Sequence, residues 1–282
     1  AVREGRVGHA YLFSGPRGTG KTTSARILAK ALNCEALAGG EPCLVCDSCV
    51  AIAAGTSYDL HELDAASNNG VDAMRDLIAR AALGTPGRTK VYILDEVHML
   101  SPGASNALLK TLEDPPDHVV FALATTDPHK VLNTIKSRTQ HFELHLIPAD
   151  VLEAHVRWVA ADAGLDVDDE IIAHVIRVGG GSARDTLSAL DQVLAAGGID
   201  DRAADTGALL TGLLERDPGA VLAAVHHGVS SGRDPRVLAE GLVHRLRDAF
   251  LSAVGVTLDH LPAADRERTA DLAAQVERPF LT

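Results

Sequence analysis

Residues 15–22 read GPRGTGKT, and no other stretch of the chain limits its possible folds so sharply. The octet fits G-x-x-x-x-G-K-[ST] at every fixed position. Its glycines let the backbone curl until amide hydrogens converge on phosphate oxygens, beside a helix N-terminus whose dipole favours anions. Such a loop needs a buried strand before it and a helix after it. "HAYLFSG" (9–15) is a short apolar run ending in glycine, and "KTTSARILAKALNC" (21–34) carries Ala25, Leu28, Ala29 and Leu32 at helical spacing. Gly15, Pro16, Arg17, Gly18, Thr19, Gly20, Lys21, Thr22 and Thr23 are therefore assigned to ATP. Within that set Lys21 is expected at the β- and γ-phosphates, and the Thr22 hydroxyl on Mg²⁺.

The next hundred residues repeat the strand–helix alternation. Strands are expected at 58–67, 89–97, 118–127 and 140–144, and helices at 71–83, 103–114 and 128–137. Pro115-Pro116 stops the second of these helices. Continuous apolar strands separated by helices predict a mostly parallel sheet of five strands, covered on both faces. Ligands of such sheets bind beyond the carboxyl ends of the strands. Pro148 marks a boundary. After it the pattern is helical at about 149–163, 168–178 and 182–195, broken by "GGG" (179–181) and "GG" (197–198). Further helices are expected at 218–228, 234–254 and 262–277. The division into 1–148, 149–211 and 212–282 follows.

"VYILDE" (91–96) ends an apolar strand on two carboxylates. Neighbouring strand side chains point to opposite faces, so Asp95 and Glu96 are given different tasks. Asp95 is expected to hold Mg²⁺ through its water shell, and Glu96 to polarise the attacking water. That pairing predicts hydrolysis. Thr125-Thr126 end the next strand, where a hydroxyl orients the lytic water or only caps the strand. Arg138 follows a short helix. Arg184 begins another, where a cation opposes the helix dipole and calls for an anion: the γ-phosphate or only nearby Asp185. Thirteen histidines are scattered along the chain, and His98, expected to point away from one of the carboxylates, is assigned no role.

All four cysteines lie in "NCEALAGGEPCLVCDSCV" (33–50): Cys34, Cys43, Cys46 and Cys49, spaced C-x8-C-x2-C-x2-C. Four thiolates in one short loop can surround a tetrahedral Zn²⁺ with no position open, the arrangement of a structural site. An iron–sulfur cluster is the alternative, because C-x2-C-x2-C with a remote fourth cysteine also serves there. Disulfides fit poorly beside a cytosolic ATP site. The segment has too few apolar residues to fold without such a staple.

The formal net charge is −12, with 14 basic and 17 acidic side chains in residues 1–150 (net −3) against 12 and 21 in 151–282 (net −9). This argues against broad coating of nucleic acid, though not against a local basic face in the first half. No stretch approaches the roughly 20 apolar residues of a membrane span.

Taken in order, "HAYLFSGPRGTGKTTSARILAKALNC", the cysteines, "DAASNNGVDAMRDL", "KVYILDEVHMLS", "NALLKTLEDPP", "ATTDP", "SR" and "GSARD" resemble the γ/τ subunits of the bacterial DNA polymerase III clamp loader, a family of AAA+ ATPases. The likeness is dense over 9–195 and thin afterwards. It implies an AAA+ P-loop domain with a zinc insertion at 34–49, a helical lid and part of an all-α collar. It implies a five-subunit machine, cytoplasmic and at the replication fork, that spends ATP to open a sliding clamp and load it on primer–template DNA for the replicative polymerase. Lys21, Thr22, Asp95 and Glu96 then serve ATP and Mg²⁺, Thr126 is the first sensor and Arg184 the second. Arg138 is the arginine finger, acting on the ATP of a neighbouring subunit, and the cysteine ion is zinc. Lys110 and Arg75 stand where family members meet DNA phosphates, although solvated surface charge is the more ordinary reading of both. No polymerase active site is visible, so polymerase activity would belong to the holoenzyme.

Departures from the pattern are few. Ser137-Arg138-Thr139 stands for the family's usual Ser-Arg-Cys, and Ser105 stands where the family usually has Phe, which loosens a packing contact. The chain opens on Ala1, later than the family's adenine-cupping segment, and reads as a fragment with its collar cut short. Two other functions compete: a non-hydrolysing scaffold subunit of the same complex, and a small-metabolite P-loop kinase with Arg184 as lid arginine.

Overall fold

The computed structural model describes residues 2–84, 87–199, 204–232 and 234–275. The chain divides into two compact units, residues 1–146 and 147–282.

The first unit is built on five strands: β1 (Ala10–Ser14), β2 (Leu60–Asp64), β3 (Lys90–Asp95), β4 (Val119–Thr125) and β5 (Gln140–Glu143). Their order is β2-β3-β4-β1-β5, and every pairing is parallel. The mostly parallel five-stranded sheet expected of the AAA+ resemblance is thus present. Strand alternation sorts the apolar residues into two layers. Leu12, Tyr92, Leu94, Phe121 and Leu123 pack on one side against Met74, Leu77, Leu108 and Leu112. These helical residues belong to α3 (Val71–Ala81) and α4 (Pro102–Glu113). Tyr11, Phe13, Val91, Ile93 and Ala122 pack on the other side against Ala25 and Ala29 of α1 (Lys21–Asn33) and Ile52 of α2 (Asp47–Ala53). A four-residue α5 (Asn133–Lys136) precedes β5.

The central strands β1, β3 and β4 are buried nearly throughout, whereas the edge strands β2 and β5 are half-buried or exposed. This explains why the central three read as continuous apolar runs. No sequence pattern marks α2, which starts inside the cysteine segment and is only seven residues long.

The second unit is helical: α6 (Ala149–Asp162), α7 (Asp169–Gly179), α8 (Ala183–Ala196), α9 (Ala204–Leu214), α10 (Pro218–Ser230), α11 (Pro235–Ala253) and α12 (Ala263–Gln275). Its helix ends obey local chemistry. Asp168 and Ser182 cap α7 and α8 by accepting from Ile171 N–H and Asp185 N–H. Gly180 and Gly197 close the same helices in the left-handed conformation, so both glycine breaks do the work expected of them. α10 and α11 each begin with an Asp cap followed by Pro at the first helical position. Leu152, Val156, Ile172, Val175, Ile176 and Leu190 form the core of α6–α8. The helix expected at 262–277 is α12, and residues 276 and 277 lie outside the described residues. Nor does the sequence mark α9, because "ADTGALLTGLL" has no clear polar face and carries two glycines.

Candidate nucleotide site and cysteine centre

The carboxyl ends of β1, β4 and β3 lie side by side, and the loops leaving them carry the polar residues. Gly15 leaves β1 at φ 142°, and a β-carbon there would stand 2.0 Å from the carbonyl oxygen of Leu144. Only glycine fits this entry. The loop then closes on itself through the Thr19 hydroxyl, which donates to the Pro16 carbonyl at 2.9 Å. Gly20, at φ 93°, turns the chain into α1. Lys21 is only 6% exposed, and its Nζ donates to the carbonyls of Gly15 (3.0 Å) and Pro16 (2.7 Å) within the curl. Arg17 and Thr23 are exposed at its rim.

Thr22 and Asp95 meet: the hydroxyl donates to Asp95 Oδ2 at 2.8 Å. A hydroxyl and a carboxylate at this spacing suit a hard, oxygen-seeking cation such as Mg²⁺. Glu96 behaves differently from the strand alternation expected for it. β3 ends at Asp95, and Glu96 has left-handed backbone angles (φ 49°, ψ 45°) at the head of a 3₁₀ turn, Val97–Met99. The two carboxylates diverge because the backbone turns, not because they sit on opposite faces of one strand. Glu96 Oε2 accepts from Thr126 N–H (3.1 Å) and Thr126 O–H (2.8 Å), so the expected sensor and the expected base are in contact. His98 also arrives there. Its Nδ1 is 3.2 Å from Glu96 Oε2 and 2.9 Å from Thr125 Oγ1. No local pattern in the sequence marks the 3₁₀ turn that swings His98 back.

The cysteine segment follows α1 directly. All four sulfurs lie within 4.8 Å of one another, and none is in a disulfide. A tetrahedral zinc–thiolate site has sulfurs about 3.8 Å apart, given Zn–S bonds of ~2.3 Å. The donor set therefore fits Zn²⁺ with a small contraction. Cys43 N–H donates to Cys34 Sγ at 3.2 Å, which holds that thiol below its ordinary value, whereas burial pushes the Cys49 thiol up to about 12. Asn33, just before the first cysteine, is a buried junction. Its Nδ2 donates to the carbonyls of Ala29 and Thr89, and its Oδ1 accepts from Arg88 and Thr89 N–H.

Residues 1–148 match the family model described as DNA polymerase III, delta subunit. The chain belongs to that family. It is also 42% identical to the DNA polymerase III subunit gamma/tau of Mycobacterium tuberculosis, over 100% of this chain and 52% of the relative. It is 41% identical to the tau subunit of Bacillus subtilis (89% and 47%) and 39% identical to that of Escherichia coli (96% and 44%). The resemblance to γ/τ subunits carried by the motifs therefore extends along the chain. The chain spans about half the length of the curated relatives it matches.

Two arginines complete the residues singled out in this DNA polymerase III family member. Arg138 follows α5 and stands at the surface of the first unit, bonded to Glu113 (2.5 Å) and to the Thr134 carbonyl (2.8 Å). Arg184 is an exposed residue in the first turn of α8, in the second unit. Ser105 lines a cavity of about 140 Å³ together with Val97, His98, Leu100, Val131 and Ile135. No helix among the described residues is long and apolar enough to cross a membrane.

Proposed function

We propose that this chain is the ATP-hydrolysing part of a bacterial clamp-loader subunit within the DNA polymerase III holoenzyme. The observation that carries the reading is the meeting of a complete phosphate loop with two carboxylates of different engagement. Asp95 is bonded to Thr22, and Glu96 to Thr126. A storage or scaffold site needs no second carboxylate there. A kinase would need an acceptor pocket, whereas a second carboxylate beside the phosphate loop suits the polarising of water.

In this reading the loop amides and Lys21 grip the β- and γ-phosphates. Thr22 and Asp95 hold the Mg²⁺, which supplies charge neutralisation on the phosphates. Glu96 polarises the attacking water, and Thr126 reports the γ-phosphate to it. What supports the role given to Thr126 is its double donation to the Glu96 carboxylate. Arg138 serves as a finger for the ATP of the next subunit, and Arg184 as the second sensor. Cys34, Cys43, Cys46 and Cys49 hold a structural Zn²⁺. Residues 1–148, 149–211 and 212–282 act as ATPase domain, lid and partial collar. The assembly has five subunits and works in the cytoplasm at the replication fork, using ATP to open a sliding clamp on primer–template DNA for the replicative polymerase.

Such fingers are worth about 10³–10⁵ in rate in other nucleotide hydrolases. The test is ATP turnover of the complete protein with its partner subunits, clamp and primed DNA, comparing Arg138→Ala with wild type. Stimulation by clamp and DNA that the substitution abolishes supports the proposal. Turnover indifferent to all three would sink it.

A further inference from the structure

We infer that His98 is a positioning residue for Glu96: its Nδ1–H, donated to Thr125 Oγ1, faces at 3.2 Å the carboxylate that polarises the attacking water. The inference rests on the ATPase reading above and deepens it. Glu96 sits at φ 49°, where a non-glycine residue persists only if its surroundings hold it. Those surroundings can be named. Oε2 accepts both donors of Thr126, and His98 Nδ1 approaches the same oxygen to 3.2 Å. An ionised carboxylate only accepts, so the ring nitrogen facing it must carry the hydrogen. That choice also settles the bond to Thr125: Nδ1–H donates to Thr125 Oγ1 at 2.9 Å, and the same hydroxyl oxygen accepts from Asp127 N–H at 3.1 Å.

His98 therefore ties the turn after β3 to the buried end of β4, across the gap where Glu96 must stay in register. On its other side His98 borders the 140 Å³ cavity at Ser105, Val131 and Ile135. The polar contacts define where it stands. Misplacing a reacting group by about 1 Å can cost roughly 10²-fold in rate. Loss of His98 should then act on turnover and leave nucleotide affinity nearly intact.

The experiment measures kcat and KM for ATP in the complete protein assembled with its partner subunits, together with thermal unfolding of each variant. His98→Ala is expected to lower kcat about 10- to 100-fold with KM within about 2-fold. His98→Asn, whose amide nitrogen occupies the branch taken by Nδ1, is expected to restore most of the rate. His98→Gln, which carries its amide one bond further out, is not. Equal rates for the Asn and Gln variants would overturn the inference, even if the Ala variant fails to fold. So would an effect confined to KM. Glu96→Gln, run alongside, separates the two readings. If it hydrolyses ATP normally, the ATPase reading itself fails. If it is inert while His98→Ala turns over at the wild-type rate, only the role of His98 falls.

Discussion

The nucleotide end of the sheet and the cysteine segment adjoin in sequence, joined at Asn33-Cys34, yet they are ordered by opposite means. At the strand ends the backbone does the work. Gly15 and Glu96 take conformations that the neighbouring strands impose, and side chains are held by hydrogen bonds to groups fixed in the sheet. The cysteine segment has a single bridge, Ala38 to Glu41, and one short helix, and it exposes Leu44 and Val45. Its order depends on what the four sulfurs bind. One region inherits its geometry from a core, and the other gathers four sulfurs at the spacing of a metal site.

The largest effect that could break this contrast is metal removal. Structural zinc contributes about 10–16 kcal/mol of apparent free energy in zinc-finger peptides, so chelation should unfold residues 34–49 entirely. ATP affinity should change little, because the phosphate loop is anchored by β1 and β4 instead. Circular dichroism and nucleotide titration before and after chelation would check this, and loss of both together would merge the regions into one. The converse substitution is Gly15→Ala. Its β-carbon meets the Leu144 carbonyl at 2.0 Å, so the loop must shift, at a cost of roughly 3 kcal/mol. ATP binding should be lost and zinc stoichiometry kept, as read by titration and metal analysis of one preparation.

How far these regions can be read from sequence follows the same division. The phosphate loop, Asp95, Glu96 and the four cysteines are legible because their spacing is itself the chemistry. The parallel sheet is legible because buried strands leave unbroken apolar runs. Glu96 shows where such reading stops. Its left-handed angles depend on Thr126 and His98, which lie apart from it in sequence or beyond an unsuspected turn. Asn33 is hidden for a similar reason. An asparagine ending a helix reads as a cap, and nothing local shows that residues 88 and 89 supply its partners.

Asn33 offers a substitution that should touch both regions at once. Asn33→Ala strands the N–H groups of Arg88 and Thr89 and frees the end of α1 from the start of β3. The cost should be about 2 kcal/mol. Thermal unfolding should fall accordingly, with a modest weakening of both ATP and metal binding. An effect on one alone would show that the junction carries no coupling.

The smallest effect concerns pH and sharpens the contrast from outside both sites. Burial, and then the charge of Lys90, holds the His61 imidazole on β2 below its ordinary value. Its ring stacks on Tyr92 with centroids 4.9 Å apart, and Nε2 is buried without a hydrogen-bond partner among the described residues. The unfolded chain takes up this proton near pH ~6.5, whereas the folded chain takes it up only at lower pH. Between those points the unfolded state binds more protons, so stability falls as pH drops below about 6.5. Acid also protonates thiolates and weakens their hold on metal, which acts on the cysteine segment alone. His61→Phe keeps the stack and removes the titration. Melting points measured at two pH values should then fall less in the variant than in wild type, while acid-driven metal release stays the same. Equal falls in both proteins would assign the acid sensitivity of the sheet to groups other than His61.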